Sequence, residues 1–235
     1  IVRGDLGRSI FLKRPVSEII LDNVRYTLEL TVTGLILAVV LGFTLGILAA
    51  SRRGTWLDSL TMIFSLAGLS MPFFWLAVLL VLVFSIKLGL FPATGQGSLA
   101  HLALPAIAIG LTVAGSLARL VRSSMLEVLG QEYIVTARAK GLSSATVLRR
   151  HALRNAIIPP LTLAGLQFGR LMGGAVVTET VFARKGLGVV LVDAIISHDI
   201  RLAQGILLFI ATIYVLVNFI VDMSYALVDP RIRYS

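Results

Sequence analysis

The feature that most limits this chain is its long stretches without a charge. Residues 30–51 carry none, and neither do residues 59–86 or 202–221. Residues 88–118 are also uncharged if His101 is neutral, with the apolar core starting near Leu99. A helix crosses a hydrocarbon core of about 30 Å with about 20 apolar residues, so each run is long enough. The apolarity is continuous and lacks the alternation of a membrane barrel, which argues for helices rather than strands. The rest of the chain agrees: of 235 residues 57% are hydrophobic and only 14% charged, too little polar surface to cover a soluble globule of this size. The expected class is an all-α polytopic membrane protein.

A fifth segment is less clean. Residues 155–180 read NAIIPPLTLAGLQFGRLMGGAVVTET and hold Arg170 and Glu179. Taken as a span, the segment raises the expected total to five. Arg170 then lies at a helix–helix interface, in a buried ion pair with Asp222 as a candidate partner, or against a polar cavity, because lipid exposure of the charge is costly. Glu179 is expected near the far surface.

The net charge of +9 would suggest nucleic acid in a soluble protein. Here its distribution points to the membrane instead. With the 52–58 loop inside, Arg52, Arg53, Arg119, Arg122, Arg138, Lys140, Arg149, Arg150, Arg154, Arg231 and Arg233 all fall on the cytoplasmic side. The outer loops near 87–98 and 181–201 hold only Lys87, Arg184, Lys185 and Arg201, which fits the positive-inside rule; residues 1–25 are the exception, outside with five basic residues partly offset by Asp5, Glu18 and Asp22. Residues 1–24 are then an extracytoplasmic segment, 25–228 the membrane domain and 229–235 a cytoplasmic tail. A segment already outside before the first span implies a preceding span, six in all.

Small residues recur every fourth position at Ala38, Gly42, Gly46 and Ala50, at Ala106, Gly110, Ala114 and Ala118, and at Gly165, Gly169 and Gly173. That spacing puts each set on one helix face and permits close backbone approach. Pro72, Pro105, Pro159 and Pro160 mark places where helices begin or break. Met71 and Phe74, with Phe73 and Trp75, form a bulky patch around Pro72. The patch serves as core, as lipid contact or as lining of a path.

Residues 119–155 are too long and too patterned for a simple turn. Leu126, Val128, Tyr133, Ile134 and Ala137 fit a continuing helix, and Gly141 breaks it. Ser143 or Ser144 then caps a short second helix through Val147, Leu148 and Ala152. The result is a cytoplasmic element with an apolar side and a basic rim. It can hug lipid or dock a soluble partner in a groove.

Two runs here carry a resemblance: EYIVTARAKGL from Glu132 to Leu142, and RHALRNAIIP from Arg150 to Pro159. Together they resemble the cytoplasmic loop of binding-protein-dependent ABC importer permeases, closest to the dipeptide, oligopeptide and nickel group. GDLGRS at Gly4–Ser9, RPV at Arg14–Val16, NVRYTLE at Asn23–Glu29 and RRG at Arg52–Gly54 fit the same pattern. So do SMPFF at Ser70–Phe74, LFPATG at Leu90–Gly95, ETVF at Glu179–Phe182 and GLG at Gly186–Gly188. The family's Glu-Ala-Ala triplet is replaced here by Val135-Thr136-Ala137, which keeps the glycine and loses the acidic member.

The resemblance implies a type I ABC importer permease fold and a specific division of labour. A coupling helix within 119–155 would sit in a groove of an ATP-binding subunit through Ala137, Gly141, Leu142, Val147 and Leu148, with Arg149 and Arg150 against acidic partner residues. Arg154 and Asn155 would anchor it to the next span. The expected partners are a second homologous permease, two ATP-binding subunits carrying ATP and Mg, an extracytoplasmic substrate-binding protein and the lipid membrane. No nucleic acid is expected, and this chain binds no cofactor. The implied location is a bacterial or archaeal cell membrane. Met71, Phe74, Arg170, Glu179 and Asp222 are the path or interface candidates, and 181–201 the external loop. Peptides are the implied substrate, with nickel complexes and glutathione as alternatives on the same scaffold.

Catalytic signatures are missing from the sequence. It has no GxxxxGK[ST] phosphate loop, no HExxH, no GxSxG and no cysteine, and GLG at Gly186–Gly188 is too short to cradle phosphate. His101, His151 and His198 are far apart. An enzyme is not expected. A membrane scaffold docking a cytoplasmic partner through 136–155, or a secondary transporter, are the rival classes.

Overall fold

The computed structural model describes residues 6–228, with the side chains at 69, 174, 222 and 224–228 left out. The expected tail at 229–235 and the Gly4–Asp5 end of GDLGRS lie outside the described residues, as does the Asp222 side chain. The regular elements of the described residues are all helices, joined by irregular connections such as residues 88–98, with one isolated antiparallel bridge between Arg8 and Pro15.

Helix α1 runs from Val16 to Ser51, unbroken through the boundary expected at 24. Helix α2 covers Trp56–Ser70 and stops where Pro72 has no N–H to continue the ladder. Helix α3 covers Phe73–Leu80 and widens into a π-helical stretch, Val81–Lys87. Helix α4 is Leu99–Leu129 and α5 is Glu132–Ala139. Helices α6, Ser144–Thr146, and α7, Leu153–Ala156, are joined by a π-helical stretch, Val147–Ala152. Then come α8, Ile158–Gly174, α9, Val176–Val181, α10, Leu187–Ile196, and α11, Ile200–Val228.

Among the described residues three helical stretches are long and apolar enough to cross a membrane: Val16–Ser51, Leu99–Leu129 and Ile200–Val221. Counting Trp56–Gly68 and Phe73–Lys87 together, across their break, makes four. The expectation of five is corrected accordingly. The shortfall lies in 155–180, which is not one helix. Pro159 and Pro160 cannot donate to the carbonyls of Asn155 and Ala156, so the chain breaks at Ile157 before α8 begins. A second break at Ala175 separates α9 and leaves α8 only 17 residues long.

The described chain forms two compact units. The first comprises residues up to Gly34, Pro72–Ile109 and Phe168–Val217. Its core gathers Val16, Ile19 and Ile20 of α1, Leu187, Leu191 and Ala194 of α10, and Leu202 and Ile206 of α11. A second cluster joins Ala77 and Leu80 of α3, Leu104 and Ala108 of α4, and Phe182. Pro105 leaves the carbonyl of His101 without its usual helical donor, and the Arg184 guanidinium reaches that oxygen at 3.5 Å.

The loop before α1 is tied to the start of α11. Ser9 Oγ donates to Asp199 Oδ2, which also accepts from the Phe11 N–H at 3.2 Å, while Asp199 Oδ1 accepts from the Leu202 N–H at 3.1 Å. Burial alone would raise the Asp199 carboxyl. The hydrogen bonds from Ser9, Phe11, Leu202 and Ile10 outweigh it and hold the group below the usual carboxylate value. A depressed native value means that the stabilisation is present at neutral pH. It is lost as pH falls from the unfolded value, about 3.9, through the native one. Asp199→Asn is expected to lower stability at pH 7 by about 1–3 kcal/mol and to flatten the acid side of the stability curve. Thermal unfolding in detergent against pH checks this; a midpoint equal to the parent's at pH 7 would remove the clamp's role.

The second unit comprises Leu35–Met71, Gly110–Gln167 and residues from Asn218 onward. Here the small-residue spacing has a direct use. A Cβ at Gly42 would stand 2.6 Å from the Leu117 side chain, and one at Gly46 would stand 2.7 Å from the Ala118 carbonyl. Helices α1 and α4 thus approach closely through glycine. Ala50, Val121, Met125, Ala152 and Ala156 form this unit's main buried cluster.

Candidate functional site

The segment from α5 to α7 divides its residues between two surfaces. Ile134 and Ala137 on α5 meet Val147 in a small buried cluster, with Leu129 packed against it. Helix α5 ends at Ala139, and Gly141 takes φ +78, the left-handed conformation that reverses the chain after a helix. No side-chain space limits that position, so the backbone conformation is what calls for glycine. Ser143 is the N-cap of the next helix; its Oγ accepts from the Thr146 N–H at 3.3 Å.

The helical stretch from Ser144 to Ala156 then lies against α4 and the end of α1. Ala152 and Ala156 are buried with Val121, Met125 and Ala50. Asn155 Nδ2 donates to the Tyr133 hydroxyl at 2.8 Å and to the His151 carbonyl at 3.1 Å, which ties the end of the stretch to α5. An open cavity of about 320 Å³ is lined by Ser51, Leu129, Arg138, Ser144, Val147 and Leu148, among others.

The expected docking residues are therefore brought together but face different ways. Ala137 and Val147 point into the chain's own core, Leu148 is half-buried, and Gly141, Leu142, Arg149 and Arg150 are exposed. Arg138, Lys140 and Arg154 are exposed as well, so the outward surface is rich in basic residues and also carries exposed apolar groups at Leu142, Val135 and Tyr133. The break at Gly130, before α5, is a feature that the sequence reading passes over.

The other candidates are scattered. Met71 and Phe74 flank Pro72 and are 39% and 56% exposed. Arg170 is exposed on α8. Glu179 is fully buried within the first unit. The reason is local: its Oε1 accepts from the Thr27 hydroxyl at 2.6 Å and its Oε2 from the Val189 N–H at 3.1 Å. Thr27 Oγ1 in turn accepts from the Leu187 N–H at 2.8 Å. The carboxylate thus occupies the N-terminus of α10, where free N–H groups favour an anion. A Cβ at Gly186 would fall 2.0 Å from Glu179 Oε1, so this glycine makes room for the carboxylate. The carboxyl group at GLG is one supplied by the chain itself. Arg184, also buried, lies 3.8 Å from Glu29.

The sequence reading also missed Asp58 and Arg122, which pair through both oxygens in the second unit. Among the described residues no group of three or more His, Asp or Glu side chains is placed to hold a metal ion.

Residues 42–234 match the family described as binding-protein-dependent transport system inner membrane component. The chain is 44% identical over 239 residues to a protein of Brucella abortus (strain 2308), whose name assigns it provisionally as a peptide transport system permease; the match covers 98% of this chain and 76% of that one. It is also 44% identical over 234 residues to the glutathione transport system permease protein GsiC of Escherichia coli O6:H1 (strain CFT073), covering 100% of this chain and 76% of the relative. A chain of the MetNI methionine ABC transporter, solved in an inward-facing conformation, superimposes with a TM-score of 0.71 at 23% identity, over 91% of this chain and 97% of that one. At that identity the likeness speaks for the fold alone. The apolar helices, the loop motifs and these matches agree: the chain belongs to the family of binding-protein-dependent transport system inner membrane components, as a multi-pass bacterial membrane protein and the permease subunit of an ABC importer.

Proposed function

We propose that this permease carries peptides and that the stretch from Gly141 to Ala156 is its coupling element, seated in a groove of an ATP-binding subunit. One observation supports the coupling role above others. The stretch packs its small residues Ala152 and Ala156 onto α4 and α1 while turning Leu142, Arg149 and Arg150 outward. A partner can thus push on the basic face and load the spanning helices directly behind it. Ala137 and Val147 hold the element in place from within, and Arg149 and Arg150 meet acidic partner residues.

The full assembly in this reading has a second homologous permease, two ATP-binding subunits that carry ATP and Mg, and an extracytoplasmic binding protein that delivers substrate. Closure of the ATP-binding subunits displaces the docked element, and the path switches the side to which it opens. Helix α8, at 17 residues, is short but within reach of a thin span. The exposed Met71, Phe74 and Arg170 are offered to the path or to the second permease. The peptide assignment draws on the transport named for the relatives in Brucella and Escherichia.

Purification of the whole complex from detergent tests the coupling role. Leu142→Asp and Gly141→Trp are expected to reduce co-purified ATP-binding subunit by roughly tenfold or more. The parent should bring down that subunit and a second permease. An inserted parent that retains neither would overturn the proposal.

A further inference from the structure

Asp58 and Arg122 form a two-point pair in the second unit. Arg122 Nε donates to Asp58 Oδ1 at 2.5 Å and Nη2 to Oδ2 at 2.8 Å. The Gly54 N–H adds a third bond, to Oδ2, at 3.0 Å. The Asp58 side chain is 7% exposed and that of Arg122 24%, so the pair is shielded rather than a fluctuating surface contact. Asp58 sits in the first turn of α2. Arg122 lies on α4 between Val121 and Met125, the two residues that receive Ala152 and Ala156 of the proposed coupling element.

We infer that Asp58–Arg122 is a positioning pair that carries the displacement of the coupling element from α4 into α2. This rests on the coupling role proposed above. The contact between the element and α4 is made through alanines, so it is close and leaves little slack. Onward from α4, an apolar contact could slide. A bidentate guanidinium–carboxylate pair fixes both separation and orientation, because two parallel hydrogen bonds resist rotation. Gly54 extends the grip to the loop between α1 and α2, where its φ of +78 brings its N–H toward the same carboxylate. Three segments of the second unit therefore converge on one acidic group: the α1–α2 loop, the start of α2 and the cytoplasmic third of α4.

The chain contains no cysteine, so single reporter cysteines can be read without background from this subunit. Ser144→Cys reports on the coupling element and Leu66→Cys, 55% exposed on α2 in the parent, reports on the helix beyond the pair. Maleimide labelling is measured on the assembled transporter in nanodiscs with and without ATP, beside the number of substrate molecules moved per ATP. In the parent, ATP is expected to change the labelling rate at both positions. Arg122→Lys keeps the charge but only one point of contact. It should leave the response at Ser144→Cys intact, cut the response at Leu66→Cys roughly threefold or more, and lower transport per ATP by a similar factor. The exchange Asp58→Arg with Arg122→Asp should recover part of both. A pair that served stability alone would move neither ratio.

An Arg122→Lys complex with a parental response at Leu66→Cys overturns the inference. So does a parent that responds at Ser144→Cys but not at Leu66→Cys, and this result leaves the coupling role standing. A parent silent at Ser144→Cys overturns the coupling role and the inference with it. Should Arg122→Lys fail to assemble, Asp58→Asn is read in its place. Failure of every pair variant to assemble, the exchange included, would make the pair a folding element and also overturn the inference.

Discussion

Reversing both Arg149 and Arg150 to glutamate is expected to release the ATP-binding partner, weakening its association by roughly a hundredfold or more. Both side chains are exposed, and the stretch from 136 to 160 contains no acidic residue to moderate their field. A partner evolved against them presents carboxylates. Reversal then replaces two attractions with two like-charge contacts, each costing several kcal/mol when water is excluded. Neutral Arg149→Gln with Arg150→Gln removes the attraction without adding repulsion, so a smaller loss is expected. The parent's association should weaken with added salt, whereas the reversed variant's should strengthen, because screening relieves repulsion. Titration of detergent-solubilised complexes at two ionic strengths measures both effects. A reversed variant that holds its partner as tightly as the parent would place the docking contact elsewhere.

Gly186→Ala is expected to be the most damaging single change in the first unit. Its added methyl would stand 2.0 Å from Glu179 Oε1 and 2.2 Å from the carboxyl carbon. Glu179 cannot move aside at little cost, since Thr27 and the Val189 N–H hold it in place and its side chain is fully buried. Displacing it breaks these bonds and leaves the N-terminus of α10 uncapped. Losses of this kind amount to about 3–5 kcal/mol, enough to consume much of a typical domain's stability. Gly173→Ala is the matched control. The nearest atom to its added methyl is Ile210 Cγ2 at 3.8 Å, an ordinary contact, and helical Gly→Ala is otherwise favourable by about 1 kcal/mol. Yield of monodisperse protein and the thermal midpoint in detergent should separate the two. Equal midpoints would show that the buried carboxylate contributes little to this fold.

What was legible in the sequence had local causes. Gly141 and Ser143 mark a helix end and a helix start by backbone conformation and capping, which depend on adjacent residues. The apolar runs at 30–51 and 202–221 became α1 and α11 because length and hydrophobicity suffice for a span. The break at Ile157 was foreshadowed by Pro159 and Pro160, but the apolar tally around them outweighed the missing donors. The break at Ala175 follows Gly173 and Gly174, weak helix formers whose signal the same apolar tally outweighed. Side-chain partners were the least accessible. Thr27 and Glu179 are separated by 152 positions, and Asp58 and Arg122 by 64. Charge alone gave no sign that Glu179 is buried within the protein. Only the fold supplies the Thr27 hydroxyl and the free N–H groups that allow it to be buried. Likewise, Ala137 and Val147 read as part of an apolar docking side, because a helical pattern does not say which apolar face the chain itself covers.

The π-helical stretch at Val147–Ala152 bears on how this region can change length over evolutionary time. A π turn holds about one residue more than an α turn. Loss of a single residue there would tighten it to ordinary α-helix without breaking continuity between Ser144 and Ala156. One wide turn would give way to one tight turn, so the residues ahead of the deletion would keep nearly the same bearing relative to those behind it. Ala152 and Ala156 would keep their seats, and the chain ahead of Val147 would keep its direction. A one-residue deletion within this stretch is thus a change of length that a paralogue of this subunit could absorb while presenting the residues on either side to the same partner.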